Sequence, residues 1–182
     1  MAKHYDHINK RLEKFIAAQK IFFVATATDK SRINLSPKGM DSFRVIDQKR
    51  VLWLNLTGSG NETAAHLDAD GRITIMFCSF EGAPMILRIY GQGKVIHPND
   101  ENWEQTVAHF PSLAGTRQIM DVRIEMVQTS CGMSIPYFDF KEERLELDDW
   151  AKKKGPEGIR DYWKAKNETS IDGIPTKIQE GY

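Results

Sequence analysis

The sequence predicts a mainly β, α+β fold, in which short strands form a small barrel or sandwich with flanking helices and a helical extension at the carboxyl end. Two observations support this prediction. Between residues 21 and 96, short runs rich in Val, Ile, Phe and Trp are separated by Gly, Asp, Lys or Asn, as is typical of a β meander. After residue 140 the chain becomes charged, with apolar residues at helical spacing.

Length and charge limit the classes of function. The 182 residues suit one domain, and we expect a barrel over residues 1–140 and a helical extension with a tail over residues 141–182 of the same domain. Lys and Arg number 25, as do Asp and Glu, so the formal net charge is zero. This balance argues against a nucleic-acid or acidic-membrane partner, because both attract a basic surface.

The cysteines and the amino terminus favour the cytoplasm. Cys78 and Cys131 lie far apart and form no CxxC spacing, so neither a zinc site nor a disulfide framework is indicated. Residues 1–7 lack the apolar core of an export signal, and no stretch approaches the roughly 18 apolar residues of a membrane span. We therefore expect a cytoplasmic protein.

Each element is predicted from its own pattern. Apolar residues at helical spacing predict an opening helix over residues 5–18, and Asn61 is predicted to cap a helix of about two turns that reaches Leu67. A further helix that carries Trp103, Val107 and Phe110 is expected after a cap at residues 99–102, and Pro111 ends it. β-branched and aromatic runs predict strands over residues 21–27, 33–36, 43–46, 51–56, 73–78, 85–96 and 122–126.

Two features of these elements have open interpretations. Gly91 and Gly93 share one face of the long strand, where glycine marks a bulge, a bend or the close approach of another backbone or a ligand. Residues 167–182 show little periodicity, which predicts either an ordered arm on a partner or a loose tail.

The most informative stretch runs from Trp53 to Thr63, where a strand ends in a glycine turn and a helix begins. Free backbone N–H groups and the positive end of the helix dipole predict an anion site there, most naturally for phosphate. Ser59, Asn61 and Thr63 add side-chain donors. The stretch lacks the last glycine of a dinucleotide fingerprint and the Gly-Lys-Ser/Thr of a Walker loop, so a turn with a helix cap is the alternative.

A second stretch brings a positive charge. Residues 33–36 alternate apolar and polar side chains and lead into Pro37-Lys38-Gly39, so Ser36 and Lys38 project near a barrel opening. A lysine beside a glycine can approach a phosphate as a compact charge. An exposed lysine on an edge strand is the alternative interpretation.

An ordered set of segments resembles the pyridoxamine 5′-phosphate oxidase-related flavoproteins. After the opening helix these segments are FFVATA, INLSPKGMDSF, VLWLNLTGSGNETAAHL, GRITIMF and ILRIYGQGKV. The resemblance covers roughly residues 2–129, and the continuation to Pro175 is similar to one subgroup. It implies a six-stranded split β-barrel that binds FMN at the interface of a homodimer.

The resemblance also implies a set of cofactor-binding residues, on the β-hairpin edge, at the glycine turn and on the long strand. Ser36 and Lys38 on the hairpin would meet the flavin and its phosphate. Asn55, Leu56 and Thr57 at the strand end would line the isoalloxazine edge. Arg88 and Gln92 on the long strand would reach the flavin from this subunit or the other. The residues are Ser36, Lys38, Asn55, Leu56, Thr57, Ser59, Asn61, Glu62, Thr63, Arg88 and Gln92.

The sequence departs from the family pattern in two places. Glu62 and Thr63 stand where the oxidases have Arg and Lys, which removes two charge-assisted contacts. Lys38, helix N–H groups and Arg88 are therefore expected to neutralise the phosphate. Residues 167–175 also lack the basic segment with which the oxidases grip pyridoxamine phosphate, so vitamin B6 oxidation is not expected.

These observations favour an FMN-dependent oxidoreductase of unknown small-molecule substrate, with a nicotinamide or a small organic molecule as electron donor. No side-chain acid or base is obligatory for such chemistry, because the flavin performs it. A non-catalytic carrier of flavin or another cofactor is the alternative, and deazaflavin or haem in place of FMN stays open. An oligonucleotide-binding module is disfavoured by the neutral charge, and His4 with His7 lack a third metal ligand.

Overall fold

The computed structural model, which describes residues 2–181, contains an eight-stranded antiparallel sheet and four α-helices. Met1 and Tyr182, which the predicted domain spans include, lie outside the described residues. In chain order the elements are β1 (Lys3–Tyr5), α1 (Lys10–Ala18), β2 (Phe22–Thr26), β3 (Asn34–Lys38), β4 (Phe43–Asp47), β5 (Arg50–Leu56), α2 (Glu62–Ala69), β6 (Arg72–Cys78), β7 (Ile86–Ile96), α3 (Trp103–Val107), β8 (Thr116–Ser130), α4 (Glu146–Lys166) and a 3-10 helix (Ile178–Gly181).

The strands follow the order β3-β2-β6-β7-β8-β5-β4, and β1 pairs with β8 outside this path. The predicted mainly β class and split-barrel architecture are confirmed. The strand number differs, because the sheet has eight strands rather than six and is not closed. β3 and β4 therefore form the two ends of the strand order, and β3 presents one open edge.

The core lies on the inner face of the curved sheet. Alternate residues of the strands are buried there, including Phe22, Val24, Ile75 and Ile89, as expected for a sheet with one covered face. α1 contributes Leu12 to the same core. Burying an aliphatic or aromatic side chain of this size contributes about 1.5–3 kcal/mol, so this face provides the main stabilisation of the barrel.

Three predicted elements have different bounds. The opening helix begins at Lys10, not at residue 5, because Asn9 caps it by accepting from the N–H groups of Arg11 and Leu12. The helix predicted to follow the cap at residues 99–102 begins at Trp103 but ends at Val107 instead of reaching Phe110, and the strand predicted from Val122 begins at Thr116. The early part of β8 was missed because its polar residues hide the alternation of apolar side chains.

The carboxyl-terminal segment packs against its own chain. α4 is kinked at Gly155, whose φ of 68° is left-handed, and Pro156 follows. Beyond it Ser170, Thr176 and Ile178 are buried. The alternative of a loose tail is therefore wrong for the described part of residues 167–182, and an arm on a partner stays a prediction. Among residues 2–181, no helix is both long enough and apolar enough to cross a membrane.

Candidate functional site

A pocket of about 270 Å³ lies where β3, the end of β5, the glycine turn, the start of α2 and β8 meet. Its lining is mostly polar. The lining residues are Asn34, Ser36, Lys38, Asn55, Leu56, Gly58, Ser59, Gly60, Asn61, Glu62, Thr63 and Arg117. The structure thus brings eight of the predicted cofactor-binding residues together: Ser36, Lys38, Asn55, Leu56, Ser59, Asn61, Glu62 and Thr63.

The alternation of β3 places Lys38 in this pocket. Ser36 and Lys38 face the same side of the strand, while Leu35 and Pro37 are exposed on the other. The Lys38 Nζ atom lies 5.0 Å from the ring centroid of Trp53, which is a cation–π contact. Loss of solvent, and to a lesser degree the charge of Arg117, lowers the pKa of Lys38 to about 8.

Arg117 on β8 supplies a second positive charge. Arg117 is buried, with 3% of the residue exposed. Its Nη1 atom donates to the Gly60 carbonyl at 3.1 Å and to Asn167 Oδ1 at 2.7 Å. Both acceptors are neutral, and no described carboxylate pairs with the guanidinium. Burial lowers the pKa of Arg117, because a buried charge without an opposite charge is unfavourable.

Unpaired donors surround these cations. Asn55 Nδ2 donates to Asn61 Oδ1 at 3.3 Å and to Gln118 Oε1 at 3.4 Å. Asn61 Nδ2, Gln118 Nε2 and Arg117 Nε are buried and have no hydrogen-bond partner among the described residues. Buried polar atoms are nearly always paired, so two unpaired amide donors near Lys38 and Arg117, together with the unpaired Nε of Arg117 itself, suit a ligand rich in acceptors.

The start of α2 differs from its prediction. Asn61 occupies the N-cap position, but its side chain makes no capping hydrogen bond because it is joined to Asn55 instead. The Glu62 carboxylate accepts from the Ile171 N–H at 3.0 Å and is thereby directed to the carboxyl-terminal segment. Thr63 Oγ1 accepts from Asn34 Nδ2 at 3.1 Å, which ties the helix to β3.

Three predicted residues do not line the pocket. Thr57 is buried, where its Oγ1 donates to the Gly115 carbonyl and accepts from Trp163 Nε1, each at 2.8 Å. Arg88 donates to Ser130 Oγ at 3.2 Å, and Gln92 pairs with the first residue of β6. Within one chain, Arg88 and Gln92 on β7 are therefore separate from the pocket, and a role toward a partner's cofactor stays a prediction.

Sequence reasoning missed Asn34, Arg117 and Gln118. The alternation that identified Ser36 and Lys38 extends back by two residues to Asn34 and could have found it. The signal for β8 was weaker, namely the polar pair Arg117-Gln118 directly before the apolar pair Ile119-Met120. Within the residues described, no group of three His, Cys, Asp or Glu side chains is placed to hold a metal ion.

A family model described as pyridoxamine 5′-phosphate oxidase matches residues 8–131. A curated relative, the pyridoxamine 5′-phosphate oxidase family protein ustO of Aspergillus flavus, is 34% identical over 189 aligned residues, which cover 94% of this chain and 76% of the relative. The 124 residues of the family match (131 − 8 + 1) are more than half of the chain.

Two solved structures have a similar fold. HupZ from Group A Streptococcus superposes with a TM-score of 0.52 at 20% identity, over 65% of this chain and 91% of that chain. A candidate pyridoxamine 5′-phosphate oxidase from Lactobacillus delbrueckii gives 0.55 at 15% identity, over 68% and 94%. The fold agrees with the family match, and the chain belongs to the pyridoxamine 5′-phosphate oxidase family.

Proposed function

We propose that this protein binds FMN and is an oxidoreductase of the pyridoxamine 5′-phosphate oxidase-related class that acts on a small molecule. The observation that carries the proposal is the polar pocket, in which Lys38 and Arg117 have no acidic partner among residues 2–181, and Arg117 Nε and Asn61 Nδ2 lack an acceptor there. A phosphate monoester offers only acceptors and negative charge, so its chemistry fits this set.

The residues divide between the two ends of such a cofactor. Lys38, Arg117 and the free N–H groups at the start of α2 would hold the phosphate. Ser36 and Asn55 would hydrogen-bond the polar chain and the ring edge. When bound, FMN supplies the electron-transfer chemistry, and the protein binds it, orients it and limits its exposure to water.

The pocket favours a terminal phosphate over the pyrophosphate of FAD. The Glu62 carboxylate lines the pocket and accepts from the Ile171 N–H. A pyrophosphate would bring two phosphates near this carboxylate where FMN brings one, and like charges repel. This arrangement supports FMN as the flavin.

The volume of the pocket supports a homodimer. A cavity of about 270 Å³ is below the roughly 300–1,000 Å³ typical of sites that enclose a small ligand. It can enclose the phosphate and part of the chain, so the flavin ring must lie nearer the surface. A second copy of this chain would cover it.

An exposed apolar surface supports the same proposal. The outward side chains of β3, β2, β6, β7 and β8 form what we call the outer sheet face, which carries the apolar residues Phe23, Ala25, Leu35, Met76, Tyr90 and Met126 together with the polar residues Thr74, Arg88 and Gln128. Leu35 is 66% exposed there, and the other apolar residues are half-buried. Apolar surface of this kind marks interaction sites, and Leu35 lies between pocket-lining residues Asn34 and Ser36.

The cysteines support a cytoplasmic location. Cys78 is buried and Cys131 is exposed, and both are free thiols. Free thiols persist in reducing compartments.

Titration with FMN tests the cofactor. We expect quenched flavin fluorescence and a shifted absorbance spectrum, with dissociation at or below the order of tens of micromolar, and weaker binding of FAD as the matched comparison. Stopped-flow bleaching of the bound flavin by NADH, NADPH or a small substrate then tests the activity, and negligible turnover of pyridoxamine phosphate is expected. Reduction by dithionite alone would support the carrier alternative, and no FMN binding would contradict the proposal.

A further inference from the structure

We propose that the carboxyl-terminal segment, residues 146–179, is part of the phosphate site: Arg117 is the phosphate anchor, and Asn167 is the residue that positions it. This inference rests on the proposed function, because the phosphate is that of FMN. It adds a role for a segment that lies outside the matched family region, which ends at residue 131.

Asn167 connects three parts of the molecule at one buried point. It is fully buried, at 0% exposure. Its Oδ1 accepts from Arg117 Nη1 at 2.7 Å, and its Nδ2 donates to the Gly58 carbonyl at 3.1 Å. Its backbone carbonyl accepts from Thr176 Oγ1 at 2.5 Å, which fixes the residue to the tail. The guanidinium and the glycine turn are therefore oriented by one side chain.

Two more contacts join the same segment to the ends of the glycine turn. Trp163 Nε1 donates to Thr57 Oγ1 at 2.8 Å, before the turn. The Ile171 N–H donates to Glu62 at 3.0 Å, after the turn. The turn that borders the pocket is thus held from behind by α4 and the residues that follow it.

The neutral amide at position 167 matters for charge. Asn167 accepts a hydrogen bond from Arg117 without cancelling its positive charge, and Arg117 Nε has no partner among the residues that the structure describes. A carboxylate at this position would form an ion pair with the guanidinium and compete with the phosphate. The identity of residue 167 therefore decides whether the charge of Arg117 is available to a ligand.

The test compares FMN with riboflavin, which has the same ring and polar chain but no phosphate. For Asn167→Asp we expect the affinity for FMN to fall about ten- to a hundredfold, the range of one charge-assisted contact, with riboflavin affinity changed by less than about twofold. Arg117→Lys should lower the affinity for FMN in part and leave the affinity for riboflavin unchanged. Arg123→Gln, an exposed position on the same strand, is the matched control and should change neither.

Failure of this inference and failure of the proposed function give different binding results. An equal loss for both flavins in Asn167→Asp would show a purely structural role and overturn the inference, and so would equal affinity of the wild-type protein for both flavins. Inorganic phosphate serves as a second probe, through the rise that it causes in the melting temperature. A phosphate-dependent rise that Asn167→Asp loses, in a protein that binds no flavin, would refute the proposed function and support the anchor. If Asn167→Asp does not fold, the Arg117→Lys comparison decides.

Discussion

At the scale of single residues, Lys38 and Arg117 set the charge of the pocket. Both lie near neutral partners, burial disfavours the charged form of each, and the charge of Arg117 further lowers the pKa of Lys38. Without a ligand this is an electrostatic strain on the fold. An anion between them would relieve it, so the same two residues that weaken the free protein strengthen the complex.

The pKa of Lys38 predicts how FMN binding depends on pH. Below about pH 8 the amine is charged in the free protein, and the phosphate dianion binds a protonated lysine. Above that pH the free protein must take up a proton to bind, so the affinity should fall with rising pH, by at most about tenfold per pH unit. Fluorescence titrations between pH 7 and pH 9.5 measure this. In Lys38→Met the slope should disappear, and riboflavin, which has no phosphate, should show none.

The ligand-free fold should respond in the opposite direction. The folded-state pKa of Lys38, about 8, lies below its ordinary value of 10.5. Between these values the unfolded chain holds a proton that the folded chain has lost, so the free energy of unfolding should rise with pH in this window. Urea unfolding at pH 7.5 and pH 9.5, in wild type and Lys38→Met, tests the sign. A decrease in the wild type relative to the variant would contradict the assigned pKa direction.

Part of the site was predictable at this scale, and part was not. Ser36 and Lys38 were predicted from the alternation of apolar and polar residues before Gly39, and the glycine turn was predicted from Gly58 and Gly60 in the sequence. Arg117 could not be found in the same way, because its environment consists of residues 57 and 50 positions away, Gly60 and Asn167. A charged residue in a strand is ordinary, and only its burial without an acidic partner makes it notable.

At the scale of elements, the pairing of β7 with β8 depends on a close contact at Gly91. The register shifts between Tyr90 and Gly91, so a bulge interrupts the longest pair of strands. A Cβ atom at Gly91 would lie 2.2 Å from the Arg123 carbonyl oxygen. Of the interpretations that the sequence left open for Gly91, the structure thus shows a bulge together with the close approach of another backbone.

Gly91→Ala should therefore destabilise the barrel. Because the obstructing atom belongs to a backbone, it cannot move aside as a side chain would, and we expect a loss of about 1–3 kcal/mol or more in the free energy of unfolding. Gly158→Ala in α4 is the control, since its Cβ would meet only Lys154 side-chain atoms at 3.5 Å. That substitution should stabilise by about 0.5–1 kcal/mol. Urea unfolding followed by circular dichroism compares the two, and a neutral Gly91→Ala would argue against the bulge geometry.

Element bounds were predicted well for β6 and poorly for α1, α3 and the start of β8. The strand β6 was found from its run of β-branched and aromatic residues between turn residues, and only its first residue was missed. The first residues of β8 are also buried, but they include Arg117 and Gln118, and a polar pocket removes the apolar signal. Asn61 is the N-cap residue, as predicted, but its side chain joins the amide network of the pocket instead of capping the helix.

At the scale of the whole molecule, the order of segments was more informative than any single motif. It identified the family and the split-barrel architecture before any geometry was known. The packing of residues 167–179 onto the glycine turn was not predictable, because it depends on single hydrogen bonds between distant residues, such as that from Asn167 to Gly58, and such contacts leave no periodic pattern.

The outer sheet face gives the last prediction, on the oligomeric state. Leu35→Asp places a charge at the β3 edge of this face, on the strand that lines the pocket with its other side, so it should disrupt a homodimer that buries on the order of 1,200–2,000 Å². Leu145→Asp is the matched control, because Leu145 is 63% exposed, close to the 66% of Leu35, but lies at the start of α4. Light scattering at micromolar concentration should find a dimer for wild type and Leu145→Asp and a monomer for Leu35→Asp.

FMN should bind more weakly to the monomer, because the ring loses the cover of the second subunit. A monomeric wild-type protein that binds FMN with full affinity would refute the shared site.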